Sequence, residues 1–420
     1  MTIKAGARRL GGVILLIAAP AMAQTEAETE PGVGEANALD RDMVRLRGEL
    51  DQLREDMEEA HQAEPAVADG IKLGGAVRFN YGYRDWNQAD KDKLGTAAFD
   101  TFRINADGQV NDVLLSAEFR WYRYQNVLHH AWAGYNVTDN LQAQLGVSRV
   151  PFGVLPYASH SFWFGLPYYV GLEDDYDSGL KFVYSRGNFS LDAAFYKGEE
   201  WGATSTERYS YDVVTDSTRF PNQTNEESNQ FNLQARYKLD YDGGSTELGV
   251  SGQYGQLYNT ATEENGDHWA AAAHANIFLG RWNLILEAGR YAYNPENPPG
   301  TPDDSVLMGA YADAFRVAAE SDFVVANLAY GLPVDWGPVS KITFYENYSR
   351  LIKDDDLEDS ELNVVGTMLG ANPLYVYVDV ITGKNMPYQG PQSADRLLFD
   401  GNQTDDDYHT RLNINVGYYF

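Results

Sequence analysis

In RLNINVGYYF, residues 411–420, apolar and polar side chains alternate along the chain, and this pattern decides the fold. Successive side chains of a β-strand point to opposite faces, so alternation gives a strand one apolar and one polar face. The apolar positions are Leu412, Ile414, Val416, Tyr418 and Phe420. The polar face carries one arginine and two asparagines. The stretch therefore predicts a strand that separates an apolar from an aqueous environment.

The same alternation recurs from residue 70 onward. It is clear in KLGGAVRFNYGYR (72–84), VLLSAEFRWY (113–122) and FNLQARYKLD (231–240). Two kinds of connection alternate between these segments: tight turns rich in Gly, Asn and Asp, and much longer joins. The turns fall near 111–112, 138–140, 186–188, 242–244, 280–281, 334–338 and 370–373. Seven turns and eight longer joins predict sixteen strands.

An even strand count, short turns at one end and long loops at the other are typical of bacterial outer-membrane barrels. In lipid every strand edge must be paired, so a sheet can span a membrane only as a closed barrel. We therefore predict an all-β fold, a 16-stranded antiparallel transmembrane β-barrel over residues 70–420. The alternative is a secreted β-sandwich or β-helix, which must explain an apolar face on every strand without long buried core runs.

Composition excludes several classes of protein. The 420 residues contain no cysteine and carry a formal charge of -29. Disulfides and cysteine metal sites are therefore excluded. The acidic balance also argues against nucleic acid as a partner.

Residues 1–23 have the three parts of a secretory signal peptide. Lys4, Arg8 and Arg9 form a basic start, an apolar run follows, and Ala21 and Ala23 form a small-residue cleavage site. The apolar run is too short to span a bilayer. The alternative is a buried N-terminal helix.

The segment 24–69 is expected in the periplasm and contains a heptad pattern over 39–57. Spacings of four and three alternate along this pattern, as in the contact positions of a coiled coil. About three heptads are marginal for a free coil, which favours an oligomer already held together elsewhere. The alternative is a lone amphipathic helix that lies on the protein itself. The heptad positions are Leu39, Met43, Leu46, Leu50, Leu53 and Met57.

These features resemble the trimeric sixteen-stranded porins of Gram-negative bacteria. The terminal NINVGYYF, with Tyr418 and Phe420, is similar to the recognition signal of the barrel-assembly machinery. RVPFG (149–153), LYVYVDVITGKN (374–385) and the N-terminal coil look like the phosphate-selective porin O/P superfamily. The resemblance implies a homotrimer in outer-membrane lipid and lipopolysaccharide, with no cofactor. It also implies that the third long loop folds into each pore and narrows it.

That loop is 150–178, and it combines aromatic with acidic residues. The aromatic side chains have two interpretations: exposed, they stack on sugar rings; buried, they fasten the loop to the wall. The resemblance places the loop at the pore constriction. Its candidate residues are Tyr157, Trp163, Tyr168, Tyr169, Glu173, Asp174, Asp175 and Asp177. Between 150 and 180 there is no lysine or arginine, unlike the phosphate-selective members, whose preference comes from such residues.

Alternation also assigns charged residues to the pore wall. The candidates are Arg78, Arg103, Arg120, Glu118, Arg236 and Lys238. Arg78, Arg103 and Arg120 come from the first three strands and are expected to form one basic patch. If the acidic loop faces this patch, opposed charges create a transverse field that favours small polar solutes.

No catalytic or metal-binding motif is present in the sequence. His129 and His130 are adjacent on a strand, where neighbours face opposite ways, so they are not expected to share a metal. A barrel hydrolase assembled by folding remains an alternative. Asp-rich loops at 354–356 and 405–407 are either solvated or bind calcium or bridge lipopolysaccharide.

We predict a passive diffusion channel for small hydrophilic solutes and ions. The alternatives are a porin selective for phosphate, other anions or sugars, and a plugged structural or adhesive barrel.

Overall fold

The computed structural model describes residues 70–215, 223–354, 357–391 and 407–420. The signal peptide predicted at 1–23 and the coil predicted at 39–57 lie outside these residues. No helix in the described ranges is long and apolar enough to cross a membrane. The described strands are β1 (Gly70–Arg84), β2 (Thr96–Val110), β3 (Val113–Tyr122), β4 (Asn126–Thr138), β5 (Leu141–Arg149), β6 (Tyr176–Arg186), β7 (Phe189–Glu199), β8 (Asp212–Val213), β9 (Asn225–Tyr241), β10 (Gly244–Asn259), β11 (Glu264–Leu279), β12 (Trp282–Asn294), β13 (Ser305–Ala310), β14 (Asp313–Ala318), β15 (Glu320–Trp336), β16 (Val339–Lys353), β17 (Ser360–Ala371), β18 (Leu374–Lys384) and β19 (His409–Tyr419).

All of these strands except β8, β13 and β14 form one closed antiparallel barrel of sixteen strands. β1 pairs with β2 on one side and with β19 on the other, so the barrel has no free edge. The amide of Phe420 donates to the Gly75 carbonyl at 3.0 Å, and the Gly75 amide donates to the Phe420 carbonyl at 2.7 Å. The predicted sixteen-stranded antiparallel barrel is confirmed.

The connections alternate as the sequence predicted. Two-residue turns lie at 111–112, 139–140, 187–188, 242–243, 280–281, 337–338 and 372–373. Several contain glycine with positive φ, such as Gly243 at 84° and Gly280 at 57°, which two-residue hairpin turns require. The longer joins are L1 (85–95), L2 (123–125), L3 (150–175), L4 (200–224), L5 (260–263), L6 (295–319), L7 (354–359) and L8 (385–408). L3 is slightly shorter than predicted, because β6 already begins at Tyr176.

The outer face of the barrel is apolar. Alternate residues of the strands expose large aliphatic and aromatic side chains. Examples are Leu73, Phe79, Trp121, Phe231, Leu233, Val250, Tyr254, Trp269, Trp282, Tyr418 and Phe420. Water around such a surface is unfavourable, whereas lipid tails solvate it.

Loops L1, L4 and L6 carry secondary structure that was not predicted from the sequence. L1 contains a short helix, α1 (Gln88–Lys93), capped by the Asn87 side chain. β13 and β14 form a hairpin within L6, and β13 also pairs with β8 of L4. All six residues of β13 are buried, so its sequence SVLMGA shows no alternation. We call β8, β13 and β14 the inserted sheet.

Part of the barrel interior is a packed apolar core. L3 residues such as Leu166 and Val170 pack with Val306 and Phe315 of the inserted sheet. The wall contributes large side chains that point inward, for example Phe323. Buried aliphatic and aromatic side chains exclude water, so L3 and the inserted sheet fill the part of the lumen that they occupy.

Candidate functional site

L3 crosses the whole lumen. It leaves the wall at β5 and returns at β6, yet it contacts β16, which is eight positions from β5 around the sixteen-strand ring. The Leu166 amide donates to Ser349 Oγ on β16 at 3.0 Å. His160 Nε2 lies 2.6 Å from Asn283 Oδ1 on β12. Because half of a closed ring separates β5 from β16, the loop spans the barrel from side to side.

On its way L3 also lies against β9, β10 and β12. The Gly153 amide donates to Ser251 Oγ at 3.0 Å, and Gln234 Nε2 donates to the Gly153 carbonyl at 2.7 Å. The Val154 amide donates to Glu287 Oε2 at 3.3 Å. Gly153 has φ +65°, and a Cβ there would lie 2.5 Å from Glu287 Oε1, so this contact requires glycine. The loop thus sits directly on this side of the wall.

The other side of the lumen is open. A cavity of about 1610 Å³ is lined mainly by β18, β19 and β1 to β7. On β1 the lining runs from Gly74, near the turn end, to Arg84 at the loop end. Ten strand residues correspond to roughly 33 Å at about 3.3 Å per residue. The cavity therefore extends along most of the barrel wall.

The cavity is basic although the chain is acidic. Nine basic and six acidic residues line it, while the formal charge of the whole chain is -29. The basic residues are Arg78, Arg84, Arg103, Arg120, Arg123, Arg149, Lys181, Arg236 and Arg411. The acidic residues are Asp100, Asp107, Glu118, Asp174, Asp192 and Asp313. The lining therefore has a local excess of positive charge.

The structure brings the three arginines of the predicted basic patch onto one wall of the cavity. Arg103 and Arg120 are direct partners in the β2–β3 register. Glu118 pairs with both, at 3.2 Å from Arg103 Nη1 and in a closer contact with Arg120 Nε. Arg78 Nε lies 3.0 Å from Asp100 Oδ2. The carboxylate partners of the patch therefore come from the barrel wall itself.

Aromatic rings also lie against several of the cavity arginines. Arg411 lies 4.5 Å from the Trp163 ring centre, and Arg78 lies 5.2 Å from that of Phe162. Both rings belong to L3. Arg120 lies 4.4 Å from the ring centre of Tyr209 in L4. Such cation–π contacts orient a guanidinium group without neutralising its charge.

The acidic residues of L3 do not form the charged face that the sequence analysis expected. Only Asp174 lines the cavity, where its Oδ1 lies 3.4 Å from Arg149 Nε. Glu173 is buried, and its Oε1 accepts a hydrogen bond from the Ala158 amide at 3.0 Å. Asp175 and Asp177 are buried outside the cavity lining. Burial raises the pKa of Glu173 well above its usual range. The expected acidic face is thus reduced to one residue that is already paired.

The four aromatic candidates of L3 all line the cavity, but they differ in exposure. Tyr168 and Tyr169 are buried in the apolar core, and the Tyr168 hydroxyl lies 2.6 Å from that of Tyr311. Tyr157 and Trp163 are only partly buried. Tyr168 and Tyr169 therefore fasten the loop, while Tyr157 and Trp163 offer ring surface to the cavity.

The remaining candidates lie in different places. Arg236 lines the cavity and pairs with Asp192 at 3.1 Å. Lys238 was assigned to the pore wall, but it pairs with Asp240 at 3.6 Å, outside the cavity lining. It lies close to the turn end of β9, where its long side chain reaches solvent. The residues of the predicted assembly signal, Tyr418 and Phe420, are exposed, and Phe420 also borders the cavity.

The interpretation of His129 and His130 was wrong about their direction. Both histidines line the cavity, and their Nδ1 atoms are 2.8 Å apart. Glu118 pairs with His130 while Phe119 pairs with Leu128, so His129 is the extra residue of a β-bulge. A bulge interrupts the alternation, which turns both rings to the same side.

Arg149, Tyr209 and Tyr311 are cavity residues that the sequence analysis did not assign to the site. Leu145 is exposed on the outer face, so alternation would also point Arg149 outward. Instead β5 ends at Arg149, and its guanidinium donates to the Tyr176 hydroxyl at 2.6 Å. Tyr209 and Tyr311 belong to loops, where no periodic signal exists. Only their aromatic character distinguishes them in the sequence.

No family model and no curated protein matches this chain in sequence. Solved structures of outer-membrane proteins share its fold. In-vitro folded OmpT of Vibrio cholerae has a TM-score of 0.51 and 15% identity, covering 85% of this chain and 100% of its own. The outer membrane channel DcaP of Acinetobacter baumannii gives 0.51 and 12%, covering 84% and 100%. An anion-selective porin from Comamonas acidovorans gives 0.52 and 10%, covering 84% and 100%. The chain thus has the fold of sixteen-stranded outer-membrane porins.

Proposed function

We propose that this protein is a porin-type channel in the outer membrane of a Gram-negative bacterium, through which small hydrophilic solutes and ions diffuse passively. The observation that carries the proposal is the cavity of about 1610 Å³ along the inner wall of a closed barrel. Its polar and charged lining favours water, and the apolar outer face of the barrel favours lipid. The proposal includes no enzymatic activity.

The outer-membrane location also has support from the comparisons, since the solved structures that share the fold are described as outer membrane proteins, a channel and a porin. Exposed Tyr418 and Phe420 would be accessible to the barrel-assembly machinery. Lipid and lipopolysaccharide would then surround the barrel. A trimer form of the Vibrio OmpT is among the similar structures. We include a homotrimer in the proposal.

L3 narrows the solute path in this proposal. It fills the β9 to β12 side of the lumen and presents Phe162 and Trp163 to Arg78 and Arg411. A solute would therefore pass between an aromatic loop and a wall of arginines. Flat or apolar parts of a solute contact the rings, and its anionic groups contact the guanidinium groups.

A preference for anions is the second candidate, and the charge of the lining supports it. Nine basic against six acidic residues leave an excess of positive charge in the cavity. The arginines that stack on rings keep their charge and are held in place. Phosphate, other small anions and acidic sugars belong to the solute class that such a lining favours.

Conductance in planar bilayers tests both candidates. A channel gives discrete openings, and an anion-preferring one gives a reversal potential of the corresponding sign in a salt gradient. Folded protein that gives no openings would contradict the channel proposal and favour a plugged structural or adhesive barrel.

Substitution of Arg78, Arg103 and Arg120 by glutamine is expected to reduce the anion preference. Arg290→Gln is the matched control, because Arg290 pairs with Asp322, Glu320 and Asp354 outside the cavity lining. An unchanged reversal potential in the triple variant would exclude these arginines as the source of selectivity.

A further inference from the structure

A cluster of buried carboxylates lies where L3 and L4 meet. Asp175 ends L3, Asp177 is the second residue of β6, and Asp212 begins β8 in L4. Each offers one oxygen, and these atoms all lie within 4.8 Å of one another. The exposed fractions of the three residues are only 5%, 2% and 1%.

The described surroundings compensate this negative charge only in part. Arg208 Nη1 lies 2.8 Å from Asp212 Oδ2 and 3.9 Å from Glu200 Oε2. Within the described residues, Asp175 and Asp177 form no ion pair with any basic side chain. Buried carboxylates are costly unless they are paired, protonated or bound to a metal.

Two buried carboxylate oxygens point to a missing ligand. Asp177 Oδ2 accepts a hydrogen bond from Gln230 Nε2 at 3.2 Å, but Asp177 Oδ1 has no hydrogen-bond donor among the described residues. Glu200 Oε2 likewise has none, although its side chain is 0% exposed. Native proteins satisfy nearly all buried polar atoms, so each exception requires an explanation.

The electrostatics of the cluster agree with the need for a cation. Burial, followed by repulsion from Asp212, raises the pKa of Asp175 well above its usual range. Burial, followed by repulsion from Asp212, also raises the pKa of Glu200. A bound cation would relieve this mutual repulsion.

The type and number of ligand oxygens favour calcium. Hard divalent cations bind carboxylate oxygens, and Ca²⁺–oxygen distances are about 2.3–2.6 Å. Mg²⁺ usually keeps several waters and is bound through one or two carboxylates, whereas Ca²⁺ takes about six to eight oxygen ligands. A buried site with three carboxylates whose oxygens all lie within 4.8 Å of one another therefore suits Ca²⁺ better than Mg²⁺.

We propose that Asp175, Asp177 and Asp212 bind one Ca²⁺ ion that ties L3 to L4, with Glu200 as a further oxygen ligand. The site lies outside the cavity lining, whereas Tyr176, Tyr209 and Tyr211 line the cavity. The ion is thus a structural crosslink between two loops and not part of the solute path. It joins the C-terminal end of L3 to β8 of the inserted sheet.

Terbium luminescence tests the site on the full folded chain after treatment with a chelator. Tb³⁺ replaces Ca²⁺ at oxygen sites, and nearby tyrosines sensitise its emission. Wild-type protein is expected to bind one more Tb³⁺ than Asp212→Asn, and Ca²⁺ should displace this ion. Ca²⁺ should also raise the thermal unfolding midpoint of wild type by several degrees. This effect should be absent in Asp212→Asn.

Asp240→Asn is the control, because Asp240 is an exposed acidic residue at the turn end of β9. It should retain both the extra Tb³⁺ and the thermal effect of Ca²⁺. Asp177→Asn serves as a second variant if Asp212→Asn does not fold. Anomalous diffraction from crystals with Tb³⁺ should show a peak between the three carboxylates. Equal stoichiometry in wild type and both variants, or no such peak, would overturn the proposal.

Discussion

At the scale of single residues, Glu118 sets the effective charge of the basic patch. It contacts Arg103 and Arg120, so it offsets the positive charge that these two residues present to a passing ion. We predict that Glu118→Gln increases the anion preference. One unit charge at about 4 Å is worth about 1 kcal/mol in water, which corresponds to a roughly fivefold change in permeability ratio.

The reversal potential in a salt gradient measures this change. Glu320→Gln is the control, because Glu320 pairs with Arg290 outside the cavity lining. A shift toward cations in Glu118→Gln, or an equal shift in the control, would contradict this role for Glu118.

His160 makes the attachment of L3 sensitive to acid. Its Nε2 bonds to Asn283 Oδ1 at 2.6 Å, and its Nδ1 accepts from the Asn347 amide at 3.1 Å, so both ring nitrogens are used by the neutral form. Burial lowers the pKa of His160 below its ordinary value of 6.5. Below pH 6.5, the His160 ring therefore binds a proton more readily in the unfolded chain than in the folded protein. Stability from this residue is therefore lost as the pH falls.

We predict that the thermal midpoint of wild type falls more steeply between about pH 7.5 and pH 5.5 than that of His160→Gln. The comparison of slopes removes the contribution of the other titrating groups, which both proteins share. Parallel slopes would show that His160 does not contribute to the acid sensitivity.

The residue-scale site was only partly predictable from the sequence. Alternation assigned five charged residues within regular strands to the pore wall, and these residues line the cavity: Arg78, Arg103, Arg120, Glu118 and Arg236. It failed at His129, where a bulge changes the direction of the side chain. The carboxylate partners and the stacked rings depend on contacts between distant parts of the chain, and no local pattern encodes these contacts.

At the scale of secondary-structure elements, the L6 hairpin partly closes the loop end of the cavity. Tyr311 and Ala312, between β13 and β14, belong to the cavity lining. We predict that replacing residues 305–318 with a short Gly/Ser linker increases single-channel conductance, because it removes these side chains and part of the apolar filling. The control is replacement of L5, 260–263, because the residues of L5 lie outside the cavity lining. Unchanged conductance without the hairpin would contradict its position at the mouth.

The barrel strands were predictable, but the inserted sheet was not. A strand between lipid and water must alternate, and glycine or asparagine marks its two-residue turns. β8 and β13 are fully buried, and β14 is buried except at Asp313 and Arg316; all three strands are short, with only two residues in β8. Their residues follow neither the period of a membrane strand nor a turn pattern. The notable length of L4 and L6 was the only hint of added structure.

At the scale of the whole molecule, we propose that the coil predicted at 39–57 acts in assembly and not in conduction. Deletion of residues 39–57 is expected to weaken the trimer, because three heptads add contacts between chains only when the barrels already associate. The conductance of each pore should remain the same. Light scattering in detergent measures the oligomer, and planar bilayers measure the pore. A trimer of unchanged stability would show that these residues do not promote oligomerisation.

The pairing of β1 with β19 has a consequence for the order of biogenesis. These strands lie about 340 residues apart in the chain, and pairing them closes the longest loop in the barrel. Such a contact carries a high entropic cost and is expected to form late. Both strands belong to the open side of the lumen, whereas the packed side is built from strands closer together in sequence. The pairing of β1 with β19 is therefore expected to be the last strand contact to form, and the wall of the cavity is complete only after it.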